Sequence, residues 1–346
     1  MENRDRETRG GKSGWEPFST MASFDRGWKK CYSERRGCAY WFNTNTGESR
    51  WEDPEKTVQQ HYDNRKLESK SDREQSQSLY VRNFNNWIKM VILSEACKKC
   101  NGRNDNRLAV IDLACGQGGD LSKYEHLPVW DYIGIDISPV LIERAQERYK
   151  DRRFKFGALF YASDLSRPLS FTPGLCPGER HLASMQFALH YFASSQEAML
   201  TLLQTVSTYL APGGLFVGTT VDKNALAECV RNKNKRKNPL LQLEHDESFL
   251  PSLEKNPTPW GVGYKFTLVD AVDHLTEYVV DRTLLEKEAA RCKLTLKEWT
   301  PFNQYYYNHA NNYMGLFQKV VAEKSTPADA WEVVTLYSVF VFEKQQ

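Results

Sequence analysis

Between Leu108 and Ser138 the chain reads LAVIDLACGQGGDLSKYEHLPVWDYIGIDIS. Gly116, Gly118 and Gly119 allow a sharp turn and let backbone approach a ligand with no Cβ in the way. Asp136 follows near the end of a second apolar run, about one strand–helix–strand unit later, where a carboxylate reaches the hydroxyls of a bound ribose. The spacing describes a nucleoside pocket. A dinucleotide site would carry GxGxxG and set a helix N-terminus against a pyrophosphate. Here Asp112 and Asp120 flank the turn instead. Acids suit a nucleoside that lacks phosphates and bears a positive sulfonium, namely S-adenosylmethionine. A tight turn without a ligand would explain the glycines alone, but it leaves Asp136 unexplained.

The elements that must position these groups start with Leu108–Leu113, a short apolar run of the kind a buried parallel strand shows, and a second strand over Tyr132–Ile137. With 346 residues, 40% hydrophobic and 12% aromatic, the chain can bury one large core and a small module besides. No apolar run approaches the roughly 20 residues of a membrane span and no signal-peptide pattern opens the chain, so a soluble protein is expected, with no membrane partner. Its eight cysteines lack framework spacing, which predicts reduced thiols in the cytosol or nucleus. Cys97 and Cys100 form a CxxC without a second pair, so no metal site is expected. A net charge of +2 permits nucleic-acid binding only through a local patch.

Residues 1–24 are polar and charged and are expected to be disordered. The following stretch, over 25–55, is rich in aromatics: Trp28, Tyr40, Trp41, Phe42 and Trp51, with a turn signal at Asn45-Thr46-Gly47. It resembles a WW domain, a small three-stranded sheet. The resemblance places Trp28, Trp41 and Pro54 in the clasp between the two ends, and Tyr40 and Trp51 in a groove for a proline-rich ligand. Such a ligand is largely preformed and loses less entropy on binding. Ser33, Arg35 and Arg36 supply a hydroxyl and two guanidinium groups beside the groove, which implies a phosphorylated serine-proline ligand.

Residues 56–78 read as a charged linker without periodicity. From Asn83 onward Phe84, Trp87, Ile88, Val91 and Ile92 recur at helical spacing, and Asn85 and Lys89 share another face of that helix. The combination of Arg82-Asn-Phe-Asn-Asn-Trp-Ile-Lys89 with Asp112-x-x-Cys-Gly-x-Gly-Gly-Asp120 resembles the eukaryotic mRNA cap guanine-N7 methyltransferases. Gly134-Ile-Asp-Ile-Ser138, Gln186-Phe-Ala-Leu-His-Tyr191, Pro212-Gly-Gly214 with Gly218-Thr-Thr220, and the stretch from Tyr337 to Gln346 agree in the same order, so the resemblance covers residues 79–346.

That resemblance implies an α/β, Rossmann-like class I S-adenosylmethionine methyltransferase fold: a doubly wound sheet with an antiparallel C-terminal strand, preceded by the WW domain. Further strands are expected over Phe154–Ser163, His181–Phe187 and from Pro212-Gly213-Gly214 to Thr220, with a helix over Gln196–Tyr209 and an antiparallel strand over Val333–Phe342. Residues 222–262 read as an irregular insertion holding the basic run Arg231–Lys237, either a solvated loop or a guide for RNA phosphates.

By the same resemblance the cofactor meets Lys89, Asp112, Ala114, Gly116, Asp136, Asp164 and Gln186. The cap guanine meets Asn85, His190, Tyr191, Glu277 and Tyr337, with Glu277, Tyr191 and His190 nearest the chemistry, and Arg148 faces the cap triphosphate. Three residues depart from the family pattern: Ala114 stands for a glycine, Gln117 for a basic residue and Val221 for a proline. The implied partners are capped mRNA and, through the WW groove, the phosphorylated C-terminal repeats of RNA polymerase II, in the nucleus. Two rivals remain at this point: a methyltransferase acting on another substrate, and an inactive adaptor of the same fold.

Overall fold

The computed structural model describes residues 28–33, 38–47, 49–50, 56–63, 75–100, 107–169, 172–232, 238–322 and 326–346. The chain divides into two compact units, 1–57 and 58–346. In the first, β1 (Trp28–Ser33), β2 (Cys38–Asn43) and β3 (Ser49–Arg50) pair antiparallel in that order. Cys31 stands opposite Tyr40, and Trp28 opposite Asn43. The expected turn is there: the Asn43 Oδ1 accepts from the amides of Asn45 and Thr46 at 2.9 and 3.1 Å, and the Gly47 amide donates to the Asn43 carbonyl at 2.8 Å. Trp51, the loop residues Glu34 to Arg36, the tail 1–24 and the basic residues 233–237 lie outside the described residues.

Helix α1 (Lys56–Asp63) runs from the end of the first unit into the second, and the long helix α2 (Leu79–Lys99) follows in the chain. Strands β4 (Leu108–Leu113), β5 (Val129–Asp136), β6 (Gly157–Ala162), β7 (Arg180–Gln186) and β8 (Leu210–Val221) follow. Next come β9 (Leu241–Glu244), β10 (Gly263–Leu268) and β11 (Val272–Tyr278), then β12 (Leu294–Pro301) and β13 (Tyr337–Lys344). The main sheet runs β12-β13-β8-β7-β4-β5-β6. Its members β8 to β6 are parallel, and β13 inserts antiparallel beside β8. All six residues of β4 are buried, as a parallel strand covered on both faces requires. Gly218 is where β7, β8 and β13 come closest: a Cβ there would stand 1.9 Å from the Met185 carbonyl and 2.5 Å from the Phe340 ring, so no other residue fits.

Each face of the sheet carries its own core. On one, Phe84, Trp87, Ile88 and Val91 of α2 pack with Val110, Leu182 and Val217. Phe84 lies 6.5 and 5.8 Å, ring centre to ring centre, from Phe302 and Tyr306 of the helix Phe302–Val321. On the other, Met199, Leu202, Leu203 and Val206 of the helix Gln196–Tyr209 pack on Ile111, Ile133 and Phe216.

Four expectations change. The α2 helix begins at Leu79, four residues before Asn83. Val333 and Val334 end a helix, Ala328–Val334, and the last strand starts only at Tyr337, because the apolar run spans a helix end and a strand start. The stretch 222–262 is not irregular: it holds the helices Lys223–Arg231 and Phe249–Leu253, and β9, which pairs with β10 in a second sheet ordered β11-β10-β9. The stretch read as a linker contains α1. Its Val58, His61 and Tyr62 do carry helical spacing, but a pattern of eight residues inside a charged run is too short to separate from chance.

Candidate active site

The parallel strands end at one edge, and the loops leaving that edge carry the first half of the site. β4 ends at Leu113, and the chain turns through Ala114 to Asp120 before a short helix, α3 (Leu121–Tyr124). Gly118 takes φ +67°, and a Cβ on it would meet Leu121 Cδ1 at 2.6 Å, so the turn needs glycine there. Ala114 also holds a left-handed φ of +57°. A glycine in its place would be about 1 kcal/mol less strained, yet alanine holds the same path.

The turn is tied to the end of β5. Asp136 accepts from the Gly116 amide at 2.8 Å and, through its other oxygen, from the Ser138 amide at 3.0 Å. Ser138 then caps the helix α4 (Pro139–Arg152), accepting from the Leu141 amide at 3.0 Å, with Pro139 in the first turn. Burial pushes the Asp136 carboxyl above its ordinary range, and the two backbone amides oppose this. Asp164 follows β6, with Ala162 of that strand in register with Asp136. Its Oδ1 accepts from the Ser166 amide and hydroxyl, and its Oδ2 lies 3.3 Å from Arg167. On the other side Gln186 closes β7, donating to Ser184 at 3.1 Å and accepting from Thr219 at 3.2 Å. Ser184 is in register with Asp112.

A buried charge cluster lies under the turn. Asp120 receives Lys89 of α2 and Lys123 of α3, each at 2.7 Å. Burial alone would raise the Asp120 carboxyl, but the two ammonium groups outweigh it and hold it far below the usual range. Asp112 moves the other way, raised by burial and then by the Asp120 charge, although it accepts from the Tyr132 hydroxyl at 2.8 Å. Arg148 of α4 lines a groove with Gln117, Arg144, Glu147, Asp151 and Arg152. It therefore stands beside the turn, next to the residue that departs from the family pattern.

The second half of the site is aromatic and dry. His190 and Tyr191 sit in a one-turn helix, α5 (Leu189–Phe192), directly after β7. Glu277 projects from β11, buried to 3% exposure, and accepts from the Tyr264 hydroxyl at 2.8 Å. His190 Nε2 approaches Glu277 Oε1 at 3.4 Å. This is no ion pair at neutral pH: burial pushes Glu277 up to about 8 and His190 down to about 3. Tyr337 opens β13 opposite Val221 and packs edge-on against Phe187 at 5.0 Å. Asn85 Oδ1 and His190 Nδ1 are among several buried polar atoms with no hydrogen-bond partner among the described residues. In a folded protein such atoms ordinarily find one, and these two are open to a polar ligand.

The two halves meet through residues that sequence reasoning missed. The Tyr62 hydroxyl lies 3.1 Å from the Tyr191 hydroxyl, while Asp63 accepts from the Ser138 hydroxyl. Since these neighbours in α1 are one Cα step apart, the aromatic cluster and the Asp136 corner lie close to the same helix end. Cys97 and Cys100 play no part in it. Both thiols are raised to about 12 by burial, and Cys100 donates to the His181 carbonyl. Among the described residues there is no group of three His, Cys, Asp or Glu side chains that could hold a metal, and no helix long and apolar enough to cross a membrane.

Comparison with known proteins adds the family. Residues 25–54 match the WW domain, and residues 45–345 match the mRNA (guanine-N(7))-methyltransferase domain. The mRNA cap guanine-N(7) methyltransferase of Schizosaccharomyces pombe is 31% identical over 301 residues, covering 83% of this chain and 82% of that protein. That of Cryptococcus neoformans is 30% identical over 300 residues, covering 83% of this chain and 47% of the relative. Among solved structures, a S-adenosylmethionine-dependent methyltransferase from Clostridium acetobutylicum is 13% identical, with a TM-score of 0.45, over 76% of this chain and 92% of the other. With the family model matching residues 45–345, most of its length, the chain belongs to the mRNA (guanine-N7)-methyltransferases, here joined to a WW domain.

Proposed function

We propose that this chain transfers a methyl group from S-adenosylmethionine to N7 of the terminal guanosine of GpppN-capped mRNA. The observation that supports the reading is the junction at Tyr62 and Asp63, which brings the aromatic cluster with its unsatisfied His190 nitrogen close to the Asp136 corner. The residues suit the cofactor. Asp112, Asp120 and Asp136 surround the turn with carboxyl groups and no phosphate cradle, and Lys89 offers an ammonium to an amino-acid carboxylate. When bound, S-adenosylmethionine supplies an electrophilic methyl group on a sulfonium. In this reading Asp136 accepts from the ribose, Asp164 and Gln186 face the adenine, and the Ala114 and Gly116 backbone lies against the cofactor.

Guanine N7 carries an in-plane lone pair that is unprotonated at neutral pH, so no general base is required. The chain's task is alignment, which can supply roughly 7–11 kcal/mol by removing orientational freedom. Asn85 and His190 offer their unsatisfied atoms to the purine, and Tyr191 and Tyr337 wall the slot. Glu277 accepts from the guanine N1–H and amino group. As the ring becomes cationic, that contact strengthens, which binds the transition state better than the ground state. Arg148 faces the triphosphate. Incubating the chain with labelled S-adenosylmethionine and GpppG-capped RNA, then digesting the product, should yield labelled 7-methylguanosine. Label at adenosine or at a ribose 2′-oxygen would refute the assignment.

The WW segment extends this reading to recruitment. The WW resemblance implies a groove of Tyr40 and Trp51 with Ser33, Arg35 and Arg36 near it, which would suit the phosphorylated serine-proline repeats of the RNA polymerase II tail and bring the enzyme to nascent transcripts in the nucleus. Tethering raises effective concentration and leaves the chemical step alone. Trp51→Ala is therefore expected to abolish binding to phosphorylated tail peptides, read by fluorescence anisotropy, with methylation of free capped RNA unchanged. Equal binding of phosphorylated and plain peptides by the native chain would remove only the phosphate preference; binding of neither would remove the polymerase assignment.

A further inference from the structure

Lys123 is not among the residues that the family pattern singles out around the turn, and its environment is unusual. It sits on α3 with its side chain only 8% exposed, yet it is an ammonium group. Burial pushes its pKa down, and the Asp120 charge opposes this. It donates to Asn86 Oδ1 at 3.0 Å, three residues before Lys89 on α2, and lies 2.7 Å from the same Asp120 oxygen that Lys89 meets at 2.7 Å. One carboxylate oxygen thus serves two buried ammonium groups. The triad carries a net charge of +1, and buried charge without a counter-charge is costly. Asp112 nearby is raised by burial and by the Asp120 charge, which makes it a weaker counter-charge than Asp120. Lys89 is the most exposed of the three at 16%, so the unbalanced charge faces out from that side.

Resting on the cofactor reading above, we propose that Lys123 is a positioning residue: by sharing Asp120 with Lys89, it keeps the Lys89 ammonium available to the carboxylate of the methyl donor. Without Lys123, Asp120 would pair with Lys89 alone. The pair would be neutral and closed, and the amino-acid end of the cofactor would lose its counter-charge. The adenosine end, held from Asp136 across the turn, would be unaffected. Lys123 thus acts on one half of the cofactor only, which a merely structural role would not do.

The test compares two ligands by calorimetry on the full chain. S-adenosylhomocysteine and 5′-methylthioadenosine share the adenosine and the thioether, and only the first has the amino-acid carboxylate. Lys123→Met keeps the length of the side chain and removes its charge. It should weaken S-adenosylhomocysteine by roughly tenfold and change 5′-methylthioadenosine by less than about twofold. Lys123→Arg, which keeps the charge, should recover most of the difference. Equal weakening of both ligands would make Lys123 a structural residue and overturn the proposal, as would no weakening of either. A native chain that binds the two equally would overturn it too, since Lys89 would then meet no carboxylate. A native chain that binds neither would refute the cofactor reading itself, which separates that failure from this one.

Discussion

Glu277→Ala is expected to lower kcat/KM for GpppG-capped RNA by roughly tenfold or more while S-adenosylmethionine affinity changes by less than about twofold. The charge-assisted contact it removes is worth about 1.5–3 kcal/mol, and each 1.4 kcal/mol or so is a factor of ten in rate. The loss should appear in kcat as well as KM, because the contact strengthens as the guanine becomes cationic. The structure adds a pH signature. In the free enzyme burial holds Glu277 up to about 8, so at pH 7 most of the population carries a protonated carboxyl that cannot accept both guanine donors. A carboxyl raised in this way becomes the useful anion only as pH climbs through that value. The kcat/KM profile, which reports the free enzyme, should therefore rise from pH 6 to about 8. His190, pushed down to about 3, stays neutral throughout and contributes no limb. Glu277→Gln should be slow and flat over the same range. A parallel loss of cofactor affinity in Glu277→Ala would show that the residue lies elsewhere in the cavity.

The second large effect is at Asp136. Its two oxygens hold the amides of Gly116 and Ser138, so the carboxylate shapes the turn, and in the proposed reading it also faces the ribose. Asp136→Ala should weaken S-adenosylmethionine by roughly tenfold or more, read by calorimetry, since a charge-assisted contact to the ligand and an amide anchor of the turn disappear together. Asp136→Asn separates these contributions: its single carbonyl oxygen can keep one amide partner, so cofactor affinity should fall less than in the alanine variant. Unchanged affinity in Asp136→Ala would contradict the ribose role. A collapse of thermal stability matching the affinity loss would instead assign the residue to the turn alone.

Most of the scaffold was legible because it is local. The strand at Leu108–Leu113 and the helix Gln196–Tyr209 occupy the residues their apolar patterns predicted, since burial on both faces and 3.6-residue spacing leave direct traces in the chain. The glycine turn was equally plain, because only glycine fits at Gly118. The resemblance then implied the side chains of the aromatic slot. Neither route reached the contacts that join distant segments. Nothing at Tyr62 and Asp63 announces that they touch Tyr191 and Ser138, more than seventy residues away in each case, since a short eight-residue helix in a charged stretch carries no record of what it packs on. The second sheet was hidden for a similar reason. β9 alternates, Leu-Gln-Leu-Glu, but over only four residues, and its pairing with β10 is set by tertiary register. Protonation was the furthest out of reach. The residue types alone suggest an ionised Glu277 beside a titrating His190, whereas the tertiary structure removes both from water and so reverses the expectation for each. The resemblance named the groups proposed to meet the ligand; burial, which only the folded chain possesses, decides the charge that Glu277 and His190 carry.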